Sequence, residues 1–265
     1  MTGSRVMLSD ASFAPSDRAA PVLEEVEAVA EGGRITVVVG ANAAGKTTLL
    51  RTVAGLRPAR AGRVSIELDN AAYDPWRMPA RVRAGRIAML TQRVGLPAGF
   101  GVAESVEMGR HARPHRPERI LEAMDRLALD PLRDRAVETL SVGQQQRVGL
   151  ARVIAQHEPG GILLLDEPFA PLDLRETARA AGVLREAARR GGVVIATVHD
   201  LGLAARFGDD VWLLDGGRLV ASGPAGKVLN RSRLELLFGP EAMALAGLDD
   251  PREGPSRIDG SSGPT

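Results

Sequence analysis

The stretch GANAAGKT, residues 40–47, decides the fold of this chain. Two glycines stand at fixed spacing before a Lys-Thr pair, and a β-branched apolar run at residues 35–39 precedes them. This order predicts a buried strand, a loop of small residues and a helix over residues 46–56. Small residues let backbone N–H groups face phosphate oxygens, and the N-terminus of the helix favours the same negative charge. The stretch therefore predicts a phosphate-binding loop, against the alternative of a glycine-rich turn.

Two further apolar runs, at residues 161–165 and 193–198, predict strands that are buried on both faces. A helix predicted over residues 174–190 separates them. Alternating strands and helices imply a parallel sheet with right-handed crossovers. A weaker alternation over residues 6–29 predicts short, half-exposed strands, and residues 211–221 predict a closing hairpin.

The middle of the chain has a different pattern. Residues from about 93 to 150 are predicted to form a helical insert, in which the apolar spacing over 121–129 marks one amphipathic helix. We expect an α/β fold over residues 1–240: a phosphate-loop NTPase core with a mostly parallel sheet, an N-terminal antiparallel β subdomain and an inserted α-helical subdomain. Residues 241–265, rich in Gly, Pro, Ser and charge, are expected to form a flexible tail.

Composition narrows the class of protein. Apolar residues make up 44% of the chain, charged residues 25%, and the formal net charge is +1, so we expect no nucleic-acid partner. The chain has no cysteine, which excludes disulfides and thiolate metal sites. No stretch approaches the roughly 20 apolar residues that span a bilayer. We therefore expect any work at a membrane to need a second, membrane-spanning chain.

Two carboxylates, Asp166 and Glu167, close the second buried strand. In phosphate-loop enzymes an Asp at this point holds Mg²⁺, and the neighbouring Glu is placed to act as general base on the attacking water. Lys46 is expected to reach the outer phosphates of ATP, and Thr47 to offer its hydroxyl to Mg²⁺. The alternative is a pair of carboxylates at a solvated strand end.

The segment LSVGQ, residues 140–144, predicts a helix N-cap at Ser141, with Gln144 at the third helical position. It also resembles the signature of the ATP-binding-cassette family. In that family, the serine and backbone N–H groups of the signature bind the γ-phosphate held by the opposite subunit. The resemblance covers Met7 to about Gly239.

The resemblance implies roles for residues that carry little information alone. Gln92 is similar to the glutamine that senses Mg²⁺ and the attacking water and couples to the membrane subunit. Asp173 lies in a loop similar to the one that crosses the dimer interface, and His199 is similar to the switch histidine that contacts the γ-phosphate. Phe13 resembles the aromatic residue that stacks on adenine, with a core phenylalanine as the alternative. The remaining histidines, His111, His115 and His157, are expected at the surface.

The implied site can be stated in full. The residues assigned to ATP are Phe13, Gly40, Ala41, Asn42, Ala43, Ala44, Gly45, Lys46, Thr47, Thr48, Ser141, Gly143, Gln144 and Asp173. Those assigned to catalysis are Glu167, His199, Gln92 and Lys46, and those assigned to Mg²⁺ are Thr47, Gln92 and Asp166.

Three positions depart from the family pattern. Ala43 stands where glycine is usual, Val142 replaces the first glycine of the signature, and Phe169 follows the acidic pair where Thr or Ser is common. None of these changes removes a reacting group. We expect them to lower ATP affinity or rate.

One phosphate loop and one signature per chain mean that a complete site needs two copies. The resemblance implies that they stack head to tail as a homodimer, with ATP between them. Residues 101–110, 197–207, 215–224 and 228–239 are similar to importers of iron-siderophore, haem and cobalamin. The resemblance implies an ATPase at the cytoplasmic face of the cell membrane, bound to permease subunits and served by a substrate-binding protein. Two alternatives stay open: an ATPase for another cargo, such as an amino acid, phosphonate or export substrate, and a soluble ATPase acting on nucleic acid or ribosomes.

Overall fold

The computed structural model describes residues 3–14, 20–230, 232, 234 and 235. The predicted tail, residues 241–265, lies outside these residues. The strands are β1 (Arg5–Phe13), β2 (Leu23–Glu31), β3 (Ile35–Gly40), β4 (Ala61–Leu68), β5 (Ala71–Tyr73), β6 (Ile87–Leu90), β7 (Ile162–Leu165), β8 (Val193–Thr197), β9 (Asp210–Asp215) and β10 (Arg218–Pro224). The α-helices are α1 (Lys46–Val53), α2 (Ala80–Ala84), α3 (Val102–Glu107), α4 (Pro117–Arg126), α5 (Val142–Gln156), α6 (Leu174–Arg189), α7 (Leu201–Phe207) and α8 (Ala225–Val228).

The central sheet has six strands in the order β10-β9-β3-β8-β7-β6. All neighbouring pairs are parallel except β9 and β10, which form the predicted antiparallel hairpin. Every residue of β3, β7 and β8 is buried, as their apolar runs predict. The predicted α/β class with a mostly parallel sheet is confirmed.

A second sheet, antiparallel and four-stranded, has the order β2-β1-β4-β5. The predicted N-terminal β subdomain is therefore confirmed, but two of its strands come from later in the chain. The sequence pattern predicted no element for β4 and β5, because β4 begins with three exposed residues and alternation is weak there.

The core lies on both faces of the central sheet, and β3 contributes to each. Ile35, Val37 and Val39 pack with the helical insert on one face, whereas Val38 packs with α1 and the antiparallel sheet on the other. Successive side chains of a strand point to opposite faces, so an uninterrupted apolar strand supplies both layers.

The helical insert contains α3, α4 and α5. The helix predicted over residues 121–129 lies earlier in the chain than expected: α4 runs from Pro117 to Arg126, and Ala128 has a left-handed φ of 52°. Leu121 is 42% exposed, and the helix buries Ile120 and Met124 instead. In the described part of the chain, no helix combines the length and apolarity needed to cross a membrane.

His157 corrects one prediction. It was expected at the surface, but its ring is 7% exposed at the end of α5, and the backbones of Gly161 and Gly192 approach it closely. Burial, together with the positive charges of Arg119 and Arg113, lowers the pKa of His157 to about 4, although Glu158 opposes the shift. A lone histidine among polar residues gives no sequence signal of this burial.

The lowered pKa of His157 predicts a pH dependence of stability. Above about pH 6.5 the ring is neutral in both states. Between about pH 6.5 and pH 4 the unfolded chain binds a proton that the folded chain does not, so stability falls as pH falls. At about 1.4 kcal/mol per pH unit the loss is about 3 kcal/mol. Urea unfolding of His157→Gln across this range should show a correspondingly shallower pH dependence than the parent.

His115→Gln is the matched control, because the His115 side chain is 60% exposed. This variant should keep the pH dependence of the parent. Equal slopes for the parent and His157→Gln would contradict the assignment.

Candidate active site

The phosphate loop joins β3 to α1, as its sequence predicts. Gly40 ends β3 where a Cβ would lie 2.3 Å from the carbonyl oxygen of Leu214, so only glycine fits. Gly45 has a φ of 98° and caps the start of α1, again a glycine conformation. The loop therefore presents the N-terminus of α1, with its unpaired N–H groups, beyond the carboxyl edge of the sheet.

Lys46 lies inside this loop. Its Nζ donates hydrogen bonds to the carbonyl oxygens of Gly40 at 2.7 Å and Ala41 at 2.8 Å. Burial lowers the pKa of Lys46 below its ordinary value, and the negative charges of Glu167 and Asp166 oppose this shift. The ammonium group thus sits at the centre of the loop, where an anionic ligand can replace the carbonyl oxygens as its partner.

The two acidic residues follow β7 and are held by different partners. Asp166 is 2% exposed and accepts a hydrogen bond from the Thr47 hydroxyl at 2.7 Å. Glu167 has a left-handed φ of 52°, and its carboxylate has other partners than that of Asp166. The Thr47–Asp166 contact brings together two residues predicted to hold Mg²⁺.

Glu167 also contacts two of the other three predicted catalytic residues, His199 and Gln92. Its Oε1 lies 2.6 Å from His199 Nε2 and accepts a hydrogen bond from Gln92 Nε2 at 3.2 Å. Gln92 follows β6 and His199 follows β8, the strands on either side of β7. Because the carboxyl ends of parallel strands meet at one edge of a sheet, residues distant in sequence converge there.

Two residues at this edge were not predicted. Thr197, at the end of β8, donates to Asp166 Oδ1 and accepts from the Glu167 N–H. Gln146 on α5 donates from Nε2 to the carbonyl oxygens of Glu167 at 3.3 Å and Pro168 at 3.1 Å. The sequence marks both residues only weakly: Thr197 is a single hydroxyl residue in an apolar strand, and Gln146 is one of three consecutive glutamines.

The signature segment caps α5. The Ser141 hydroxyl accepts from the Gln144 N–H at 3.3 Å, and the Gln144 side chain accepts from the Ser141 N–H at 3.0 Å, so the predicted capping pair is present. Val142 is 71% exposed, so its extra bulk meets solvent within one chain. A Cβ on Gly143 would lie 2.9 Å from the Pro171 carbonyl oxygen. The signature segment therefore packs closely against the loop after Glu167.

Asp173 caps α6 in the same manner. Its side chain accepts from the Glu176 N–H at 2.7 Å. The next residue, Leu174, is 86% exposed. Among the residues predicted to bind ATP, those of the phosphate loop lie beside the predicted catalytic residues. Ser141 and Asp173 lie instead at the capped starts of α5 and α6.

Phe13 lies at the end of β1 and is 1% exposed within the core beneath the antiparallel sheet. A ring covered by protein has no free face for an adenine base. The core alternative is the one that the structure supports, and the adenine-stacking assignment of Phe13 is not retained.

Ala43 carries backbone strain in the phosphate loop, with a left-handed φ of 64°. A residue with a Cβ costs roughly 1–2 kcal/mol in this conformation. Ala43→Gly is therefore expected to raise the free energy of unfolding by about 1 kcal/mol, measured by urea unfolding without nucleotide.

Ala41→Gly provides the comparison, because Ala41 lies in the same loop without a left-handed φ. At residue 41, glycine would give the unfolded chain more conformational freedom, so Ala41→Gly should lower the free energy of unfolding. A decrease for both variants would contradict the strain at Ala43.

A family model described as "ABC transporter" matches residues 23–170. The chain is 41% identical over 230 residues to "Hemin import ATP-binding protein HmuV" of Rhodopseudomonas palustris (strain BisB18), covering 83% of each chain. It is 40% identical over 236 residues to the protein of the same name from Gloeobacter violaceus, covering 84% of each.

The fold also matches a solved structure described as "Structure of ATP binding subunit of ABC transporter". The TM-score is 0.76 at 22% identity, and the match covers 88% of this chain and 94% of that one. Together with the matched family model and the curated relatives, the phosphate loop, the acidic pair and the signature segment identify the chain as an ATP-binding ATPase of the ABC transporter family.

Proposed function

We propose that this chain powers an importer for haem or a related metal chelate. The observation that carries the proposal is identity of about 40% to hemin import ATP-binding proteins over more than four-fifths of both chains. The matched family model spans residues 23–170, which include the helical insert. A different cargo is the alternative that the experiment below addresses.

The residues at the site fit Mg²⁺ as the companion of ATP. Mg²⁺ prefers oxygen ligands and is held through one or two carboxylates together with phosphate oxygens. Thr47 offers a hydroxyl, Asp166 a carboxylate and Gln92 an amide oxygen, and all three lie at one edge of the sheet. When bound, the metal neutralises charge on the phosphates.

The chain's own residues divide the work of hydrolysis. Lys46 leaves its carbonyl partners for the phosphates and stabilises their negative charge. Glu167 accepts the proton of the attacking water at Oε1, the oxygen that His199 and Gln92 contact. Those two contacts fix the direction of the carboxylate before the nucleotide arrives.

Two copies of the chain complete the site. The signature start of α5 leaves Val142 exposed, and the start of α6 leaves Leu174 exposed. Two large apolar side chains at neighbouring helix starts favour cover by a second protein surface. We infer a homodimer in which the capped end of α5 faces the ATP held by the partner's phosphate loop, so ATP closes the dimer and hydrolysis opens it.

The permease contacts a groove between the insert and the core. This groove, of about 710 Å³, is lined by apolar residues that include Leu56 and Met89 and by Arg81, Arg83 and His111. No carboxylate of the described residues lines it. A cytoplasmic permease segment with apolar and acidic side chains would complement this surface. The chain would then lie at the cytoplasmic face of the membrane, and a substrate-binding protein would deliver the cargo.

ATP-dependent dimerisation tests the composite site. In Glu167→Gln, hydrolysis is blocked, so ATP with Mg²⁺ should convert the protein to a dimer in light scattering. Adding Leu174→Glu places a charge in the interface and should suppress the dimer. A Glu at the first turn of α6 is compatible with the helix dipole, so folding should be retained.

Leu121→Glu, added to Glu167→Gln, is the matched control, because Leu121 is a 42% exposed leucine on α4, away from both helix starts. It should dimerise like the parent. Equal dimerisation by the Leu174→Glu protein would remove this interface from the proposal.

Cellular uptake tests the cargo. A strain carrying Glu167→Gln is compared with one carrying Glu118→Gln, an exposed glutamate in the first turn of α4. Uptake of hemin, ferric siderophore and cobalamin is measured separately with labelled compounds. We expect hemin uptake to be lost in the first strain and retained in the second.

Loss of another compound with hemin uptake intact would reassign the cargo. Normal uptake of all three, without membrane association of the protein in cell fractions, would overturn the importer proposal.

A further inference from the structure

Thr197 is a polar residue in an otherwise apolar strand. It ends β8, whose sequence is Val193–Thr197 (VVIAT), and is 0% exposed. A buried hydroxyl is costly unless its hydrogen bonds are made. The hydrogen-bond partners of Thr197 therefore indicate its role.

The Thr197 hydroxyl makes two bonds whose directions are unambiguous. The Glu167 N–H can only donate, and it lies 2.8 Å from Thr197 Oγ1. The Asp166 carboxylate accepts, and its Oδ1 lies 2.8 Å from the same oxygen. The single hydroxyl proton therefore goes to Asp166, and a lone pair receives the Glu167 N–H.

This arrangement fixes the plane of the Asp166 carboxylate. Thr47 donates to Oδ2 at 2.7 Å from the phosphate-loop side, and Thr197 donates to Oδ1 from the β8 side. With both oxygens bonded to hydroxyls on different elements, the carboxylate cannot rotate without breaking one bond. Its oxygen beside Thr47 is held at the place proposed for the metal.

The same hydroxyl supports the turn at Glu167. This residue has a left-handed φ of 52°, which costs energy for a residue with a side chain. Thr197 supplies the acceptor for its N–H at that turn. Two residues further on, His199 contacts the Glu167 carboxylate at 2.6 Å. Thr197 at the end of β8 therefore holds the backbone of Glu167, the proposed general base, and His199, just after β8, holds its side chain.

We propose that Thr197 is a positioning residue for ATP hydrolysis, whose hydroxyl aligns the Asp166 carboxylate with the metal position and holds Glu167 in its left-handed turn. The part that concerns the metal rests on the proposed role of Asp166. Thr197 itself is 0% exposed, and its proton and one of its lone pairs are engaged within the chain, so it acts through Asp166 and Glu167.

The test compares Thr197→Val, which keeps the shape and removes the hydroxyl, with Thr197→Ser, which keeps the hydroxyl. The matched control is Thr36→Val in the adjacent strand β3. Thr36 is also 0% exposed, but its hydroxyl has no hydrogen-bond partner. The three variants and the parent are compared as full-length chains, with thermal unfolding as the check of folding.

Two readouts separate positioning from general stability. The first is the Mg²⁺-dependent gain in affinity for a fluorescent, non-hydrolysable ATP analogue, measured in Mg²⁺ and in EDTA. The second is the kcat of ATP hydrolysis and the Mg²⁺ concentration that gives half of it. Loss of a partner that orients a metal ligand typically costs 10–100-fold in metal affinity or activity.

Thr197→Val is expected to lose at least about ten-fold in kcat and in the Mg²⁺-dependent gain, with affinity in EDTA unchanged. Thr197→Ser should recover most of both quantities, and Thr36→Val should match the parent. If Thr197→Val does not fold, Thr197→Cys replaces it in the comparison with Thr197→Ser, because a thiol is a weak hydrogen-bonding group.

Parent-like values for Thr197→Val would overturn the proposal. Equal losses in Thr197→Val and Thr197→Ser would also overturn it, because the methyl group rather than the hydroxyl would then matter. Neither result bears on the cargo. Conversely, failure of hemin uptake to depend on Glu167 would leave the Thr197 comparison intact, since that is measured on ATP with the isolated chain.

Discussion

The parallel pairing of β3 with β8 on one side and with β9 on the other is the constraint on which the site depends. It places the phosphate loop, which leaves β3, directly beside the end of β8, where Thr197 and His199 stand. The next strand, β7, then brings Asp166 and Glu167 to the same edge. Because β3, β7 and β8 are buried on both faces, a slip by one residue would exchange the side chains that fill the two close-packed layers of the core. The register of the sheet therefore determines the geometry of the site.

Local sequence predicted those parts of the site whose chemistry lies in consecutive residues. The phosphate loop, the acidic pair and the cap at Ser141 each need only one short segment and its flanking elements, and the structure has all three as predicted. The convergence of Gln92, His199 and Glu167 could be expected only through family resemblance, because it depends on which strands are neighbours. Thr197 was not predicted for the same reason: its role depends on its contact with Asp166 after β7, about 30 residues earlier in the chain.

Burial of single side chains was the least predictable feature. His157 was assigned from residue type alone and Phe13 from the family resemblance, and both side chains are buried. Periodicity over several residues reports a buried face, but a single residue at the end of an element carries no period. The strands β4 and β5 were missed likewise. Strand β4 pairs with β1 across a long separation in sequence, and β5, which pairs with β4, has only three residues, none of them buried.

The described contacts also join the catalytic edge to the surface that we assign to the second copy. Gln146 on α5 holds the carbonyl oxygens of Glu167 and Pro168, and Arg147 pairs with Glu176 on α6 at 3.1 Å. The start of α5, the turn at Glu167 and the start of α6 therefore behave as one packed unit. In the proposed dimer, Gln146 would therefore link the turn at the proposed general base directly to the helix that faces the partner, because the acceptors of its side chain belong to that turn.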